Sequence, residues 1–335
     1  MIYLDSASMA RPLPCALEAY HNAPFGNPSS GHLYGQKARE ALEEARNTVA
    51  ECMGAKPSNV YFVSTATEGL AWVLDSMYLA GVEVVVSPYE HHSVSENRKL
   101  LYSPVKHPFC GCQMIVNNET GDILGTHPAT DYWLCDATAV VGHMPVHFES
   151  DVLVADGLKF GGVPGAAFVL AKEGVPLTPL FRGGGQERGM RAGTENVPAV
   201  CAMAAALKWQ TENMDRNLLH VTRLRAEMLN RLKNVDYMVN AIGETSPYIL
   251  NVSFLGVENG ALALMLSNRG VMVSTGAACT TGDNAPSHVL MAMYGDEERA
   301  RSAIRISFSH DTTEDEVRIA ASEIVECVEM LRGMM

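Results

Sequence analysis

The sequence predicts an α/β fold in two parts: a large domain with a mostly parallel sheet covered by helices, and a smaller α+β C-terminal domain. Three observations carry this. Short apolar, β-rich runs bounded by turn residues alternate with helical patterns up to about residue 198. Strands alternating with helices imply a mostly parallel sheet covered on both faces. After about residue 198 a long helical stretch opens a different texture, and 335 residues suffice for one large domain plus a smaller one. The expected boundaries are 14–207 for the large domain, and 1–13 with 208–335 for the small one.

The elements follow in order. QKAREALEEARNTVAECM (36–53) places Ala38, Leu42, Ala45, Val49 and Cys52 at helical spacing with charges between them, and Gly54 follows as a stop. The strands expected next are YFVST (61–65), VEVVVSP (82–88), QMIVN (113–117), YWLCD (132–136), VLVAD (152–156) and AAFVLA (166–171), with a helix from about Glu68 after the first. The C-terminal part reads as a long helix, ILNVSFL, a helix near 258–268, VMVSTG, IRISFS and a closing helix from Thr313.

Composition narrows the function. A formal net charge of −13 argues against a nucleic-acid surface, which needs clustered Lys and Arg. No segment reaches the ~18 apolar residues of a membrane span, and the N-terminus MIYLDSASMARP has no signal-like apolar core, so a cytoplasmic protein without membrane contact is expected. Eight scattered cysteines, mostly in apolar runs, read as reduced core thiols. Cys110 and Cys112, in a Cys-Gly-Cys with no partner motif, read as incidental loop residues.

Ligands of open parallel sheets collect at the carboxyl ends of the strands. Polar groups cluster there: Thr65, Thr67 and Glu68 after YFVS, Glu90, His91 and His92 after VVVSPY, Asn117 and Asn118 after QMIV, Asp136 after YWLC, and Asp156 with Lys159 after VLVA. Taken singly each reads as a turn or helix cap; together they mark a site. Adjacent histidines on an extended segment point opposite ways, so no metal is expected. Cys279 differs from the other cysteines, because STGAACTTGDNA is too small-chained to be core and suits a mobile loop thiol.

GNPSSGH (26–32), STATE (64–68), EHHSV (90–94), VNNETG (116–121), CDAT (135–138), LKFGGVPGAAFVL (158–170), GGGQERGMRAGTENVP (183–198), STGAACTT (274–281), PSHVL (286–290) and IRISF (304–308) occur in order along the chain. In this the sequence resembles the cysteine desulfurases, pyridoxal-phosphate enzymes of the aspartate-aminotransferase fold. The stretches between His92 and Asn117 and between Glu119 and Asp136 are shorter than in that family.

The resemblance implies a set of roles. Lys159 would bond covalently to pyridoxal phosphate and then act as base. Asp136 would pair with the pyridine nitrogen, His91 would stack on the ring and carry a proton, and Ala66 and Thr67, at a helix N-terminus, would hold the phosphate. Asn118 would contact cofactor and substrate, and Arg305 would grip the substrate carboxylate bidentately. Thr194 would reach the phosphate of a second subunit, which implies a homodimer with shared active sites. Cys279 would take the sulfur of L-cysteine as a persulfide and hand it to an acceptor protein for iron–sulfur cluster assembly or tRNA thiolation. A degenerate scaffold or sulfur relay with little cofactor, and another pyridoxal-phosphate lyase or aminotransferase, are the alternatives. The chain departs from the family at Ala139, where a glutamine is usual, and at Asp156 and Leu158, where the family reads Ser-x-His-Lys. The acid at 156 is expected to turn away, to be protonated, or to pair with a cation, Arg188 and Arg191 being the nearest by motif.

Overall fold

The computed structural model describes residues 1–98, 108–124, 128–276 and 285–334. In chain order its elements are β1 (Ile2–Tyr3), α1 (Pro14–Asn22), α2 (Leu33–Cys52), β2 (Val60–Val63), α3 (Ala66–Leu79), β3 (Glu83–Val86), α4 (His92–Ser95), β4 (Phe109–Cys112), β5 (Tyr132–Asp136), β6 (Val152–Asp156), β7 (Ala167–Ala171), α5 (Val197–Arg231), β8 (Met238–Val239), β9 (Ile249–Ser253), α6 (Asn259–Asn268), β10 (Val271–Met272), α7 (His288–Tyr294), α8 (Glu297–Arg301), β11 (Ala303–Ser307) and α9 (Glu314–Gly333). They divide into two compact units. One comprises Ala10–Ile115 and Leu124–Met214, the other Met1–Met9, Val116–Ile123 and Asp215–Met335.

The first unit is built on a six-stranded sheet, ordered β2-β7-β6-β5-β4-β3. β3, β4, β5 and β6 pair in parallel, and β7 runs antiparallel between β6 and β2. The expected α/β class with a mostly parallel sheet is therefore present. β5 and β6 are continuous apolar runs because both faces of a central parallel strand are covered. α3 supplies much of that cover: Leu70, Trp72, Val73 and Met77 pack with Val152, Val154 and Val169, each side chain contributing roughly 1.5–3 kcal/mol on burial. A Cβ at Gly69 would come within 2.8 Å of Val169 and 3.1 Å of Val154. The missing side chain is what lets α3 lie flat on the sheet.

One expected strand is corrected. QMIVN (113–117) is not in the sheet; the strand of that region is β4, FCGC, and Val116 keeps only a single bridge to Ile123. Glycine and two cysteines made β4 a weak strand signal, yet Gly111 is needed, since a Cβ there would collide with Pro128. Cys110 and Cys112 are consequently buried in the sheet and not in a loop.

The second unit contains an antiparallel sheet, β11-β9-β8, and a parallel pair, β1-β10. α9 buries Val317, Ala320, Ala321, Ile324, Cys327 and Val328, one stripe at helical spacing. Its start is fixed by a capping box in which the Thr313 hydroxyl accepts the Glu316 N–H while the Glu316 carboxylate accepts the Thr313 N–H. Among the described residues, no helix is long and apolar enough to cross a membrane.

Candidate functional site

In the first unit the chemistry-bearing residues gather at the carboxyl ends of the parallel strands, as the topology dictates. Asp136 ends β5 and pairs in register with Val154 of β6, whose chain continues through Asp156 into a single 3-10 turn, Gly157–Lys159. Asp136 and Lys159 thus leave neighbouring strands at the same edge. Asp136 is 6% exposed, and its Oδ1 accepts the Thr138 N–H at 2.9 Å. Its Oδ2 has no hydrogen-bond partner among the described residues. The Lys159 carbonyl lies 3.1 Å from His143 Nε2.

Glu90 and His91 follow β3. The Glu90 carboxyl is 1% exposed and accepts the Met114 N–H at 2.7 Å. Burial first, and then the charge of Asp136, push it up to about 8. It is therefore a neutral acid at neutral pH, a state the residue pattern did not reveal. His91 caps α4: its Nδ1 accepts the Ser93 N–H at 3.1 Å and lies 2.8 Å from the Ser93 hydroxyl. Accepting at Nδ1 assigns the proton of the neutral ring to Nε2. His92 faces Glu96 instead.

Ala66 and Thr67 open α3, with Thr65 as N-cap accepting the Glu68 N–H at 3.1 Å. Thr67 and Thr194 are exposed. The Ala66 N–H is already committed: it donates to Asp156 Oδ2 at 2.8 Å, and Leu158 N–H donates to Asp156 Oδ1 at 3.2 Å. Neither arginine expected beside Asp156 is there. Arg191 pairs with Glu68 at 2.8 Å and donates to Ser64, while Arg188 lies over Tyr61 and donates to the Ser58 and Val60 carbonyls. Two amides hold the acid where the arginines were expected.

A buried ion pair went unread in the sequence. Arg46 of α2 donates to both oxygens of Glu187, at 2.9 and 2.8 Å, and Glu187 also accepts the Phe62 N–H at 2.9 Å. Glu187 and Arg188 both have positive φ, 46° and 58°, an uncommon conformation for non-glycine residues. The pair pins the GGGQERG turn that leads to Thr194. The available signal was a charged residue inside a glycine-rich motif.

In the second unit, Asn118 and Arg305 come together. Asn117 Oδ1 accepts the N–H groups of Glu119 and Thr120, both at 2.9 Å, making a tight turn that presents Asn118. Arg305, 6% exposed on β11, donates to the Asn118 carbonyl and to Asp5 Oδ1, both at 2.8 Å. The Nε of Arg305 and the Oδ1 of Asn118 are buried without a hydrogen-bond partner among the described residues. Glu119 accepts from Ser287, the N-cap of α7, at 2.5 Å. Cys279 lies outside the described residues.

The seven described cysteines are all free, and burial raises every one of their thiols. Cys110 is pushed up to about 12. No group of three or more His, Cys, Asp and Glu side chains is placed to hold a metal ion among the described residues.

These residues fit the ring of pyridoxal phosphate. A buried carboxylate with one oxygen unpartnered is the acceptor that a protonated pyridine nitrogen requires, and Lys159 lies in the turn that follows the next strand. The phosphate end fits less simply, because Asp156 holds the first amide of α3.

Comparison with known proteins gives the same answer. The class-V aminotransferase profile matches residues 2–102 and 116–319. A protein of Dictyoglomus turgidum named cysteine desulfurase IscS is 31% identical over 99% of this chain and 95% of its own length. A cysteine desulfurase of Nostoc is 30% identical over 100% and 94%. Among solved structures, a NifS-like protein superposes with a TM-score of 0.87 at 29% identity, covering 98% of this chain and 99% of that one. DndA of Streptomyces lividans reaches 0.72 at 28% identity, covering 88% and 95%. With the strand-end residues in place and the alignments running nearly end to end, the chain belongs to the class-V aminotransferases and, within them, to the cysteine desulfurase family.

Proposed function

We propose that this chain is a pyridoxal-phosphate-dependent cysteine desulfurase that takes the sulfur of L-cysteine onto Cys279 and releases L-alanine. The observation that carries the reading is the placement of Asp136 and Lys159 at the ends of adjacent parallel strands, in a chain that aligns with cysteine desulfurases over almost its whole length.

The cofactor would be held by Lys159, Asp136, His91, Ala66, Thr67 and Asn118, with Thr194 serving the second copy of a homodimer. When bound it supplies an electron sink for chemistry at the substrate Cα. Asp136 keeps the ring nitrogen protonated. Lys159 Nζ accepts the Cα proton, and His91 passes a proton at Nε2, its Nδ1 being held by Ser93. Arg305 grips the substrate carboxylate. The Cys279 thiolate attacks the substrate sulfur: the S–S bond forms as the Cβ–S bond breaks, the electron pair stays with carbon, and protonation completes alanine. The persulfide then passes to an acceptor protein for iron–sulfur cluster assembly or tRNA thiolation, in the cytoplasm.

The test is direct. The purified protein should carry a visible absorbance band that sodium borohydride removes, and with L-cysteine and a thiol reductant it should release alanine and sulfide in equal amounts. A scaffold that has lost the cofactor is the second reading, favoured by Asp156 on the Ala66 amide. Absence of the band after supplying pyridoxal phosphate would establish it. A band with transamination and no sulfide would point to a different enzyme on the same fold.

A further inference from the structure

The start of α3 is occupied by a carboxyl group of the protein's own. Asp156 is 4% exposed, and its two oxygens take the N–H groups of Ala66 and Leu158. The first-turn donors of a helix are the usual seat of a phosphate. Here Ala66 N–H serves Asp156 and Glu68 N–H serves Thr65, leaving Thr67 N–H as the first-turn amide without a partner among the described residues.

The charges facing Asp156 do not neutralise it. Lys159 lies close enough to favour its ionised form, and Asp136 close enough to oppose it. From α3, Glu68 is already matched by Arg191, and Arg188 is spent on backbone carbonyls and Tyr61. Burial raises the Asp156 carboxyl, outweighing the Ala66 and Leu158 amides and Lys159.

Resting on the functional reading above, we propose that Asp156 is a proton-dependent gate on cofactor retention: the phosphate of pyridoxal phosphate seats on the Ala66 and Thr67 amides when Asp156 carries a proton, and is opposed when it does not. A neutral carboxyl adds no like charge beside the phosphate and can donate to it. An ionised one competes for the same N–H and repels the incoming dianion. Retention of the cofactor therefore falls as pH rises. Leu158, which follows in the same turn, offers only its backbone N–H, and Asp156 already takes it.

The experiment measures dissociation of pyridoxal phosphate by its visible absorbance, for the wild type, Asp156→Asn and Asp156→Ser, from about pH 4 to about pH 9, a span that starts at the ordinary aspartate range and follows the raised carboxyl upward. Pyridoxal, which lacks the phosphate, is titrated in parallel. Wild-type affinity should fall with pH by at least ~10-fold more than that of either variant, and both variants should bind at least ~10-fold tighter at the alkaline end. Pyridoxal should not share the gain. Parallel pH curves for the three proteins would overturn the proposal while leaving the desulfurase reading intact. So would an equal gain for pyridoxal, since the acid would then not be opposing phosphate. Uptake of neither ligand by any form at any pH would overturn both. Two chemically different substitutions guard against one misfolding, and the far-ultraviolet circular dichroism of each checks it.

Discussion

Replacing Arg46 tests whether the GGGQERG turn is held by charge or merely packed. The guanidinium gives two hydrogen bonds to Glu187 and one to the Val60 carbonyl at 3.0 Å, and its Nε meets the exposed Glu43 carboxylate at 3.2 Å, a solvent-screened contact worth little. The side chains of Arg46 and Glu187 are 4% and 1% exposed. In Arg46→Met, the Val60 carbonyl keeps its 2.7 Å bond from Arg188, so the cost falls on Glu187. That carboxylate is left buried with the Phe62 N–H as its remaining donor. Truncating one partner of a buried pair costs roughly 3–5 kcal/mol, whereas removing both charges together often costs far less. Glu187→Gln retains an acceptor for Phe62. The double variant should therefore be more stable than Arg46→Met alone, with a coupling of at least ~1 kcal/mol in a double-mutant cycle. Urea unfolding of the cofactor-loaded protein, followed by tryptophan fluorescence with the slopes compared, gives the four free energies. Additive losses, or an Arg46→Met protein within about 0.5 kcal/mol of wild type, would refute the argument and make the pair a bystander.

Three further outcomes are expected. Cys279→Ala should keep the visible cofactor band and bind L-cysteine yet release no sulfide above background; wild-type turnover would remove Cys279 from the chemistry. Arg305→Ala should raise the KM for cysteine at least tenfold, since a charge-assisted contact contributes roughly 1.5–3 kcal/mol; an unchanged KM would mean that another group holds the carboxylate. Glu90→Gln should gain stability relative to wild type as pH rises. The native carboxyl titrates near 8 and the unfolded one near 4.5, so between those values the native state holds the extra proton and the wild type loses stability with each step upward. A pH-independent difference between the two proteins in urea midpoints would show that Glu90 is already ionised in the fold.

Much of the fold was legible because burial on both faces leaves a plain trace: VLVAD and YWLCD are β6 and β5 residue for residue. β4 was illegible for the converse reason. FCGC carries little intrinsic strand preference and is fixed by Pro128 against Gly111 and by its neighbours in the sheet. QMIVN, more strand-like by composition, leads instead into the turn that Asn117 organises through its own side chain. Of the candidate residues, those at strand ends could be found because topology places them. What the sequence could not give is who partners whom: that Asp156 takes backbone amides and not Arg188 or Arg191, that Arg305 already has Asp5, and that Glu90 is neutral. Such choices depend on distances of an ångström or two between segments far apart in the chain.

The state of the seven described thiols bears on where sulfur can go. Where a cysteine is the acceptor, sulfane sulfur is taken by the thiolate, and a thiol whose ionisation is suppressed is a poor acceptor at neutral pH. Burial raises every described cysteine of this chain, including the three on β4 and β5. A thiol held in that state is a weak nucleophile toward any persulfide, whichever group carries it. Four of the seven, Cys110, Cys112, Cys135 and Cys327, are buried outright, and Cys15, Cys52 and Cys201 are half-buried, so an enzyme that handles reactive sulfur would find few competing acceptors among them.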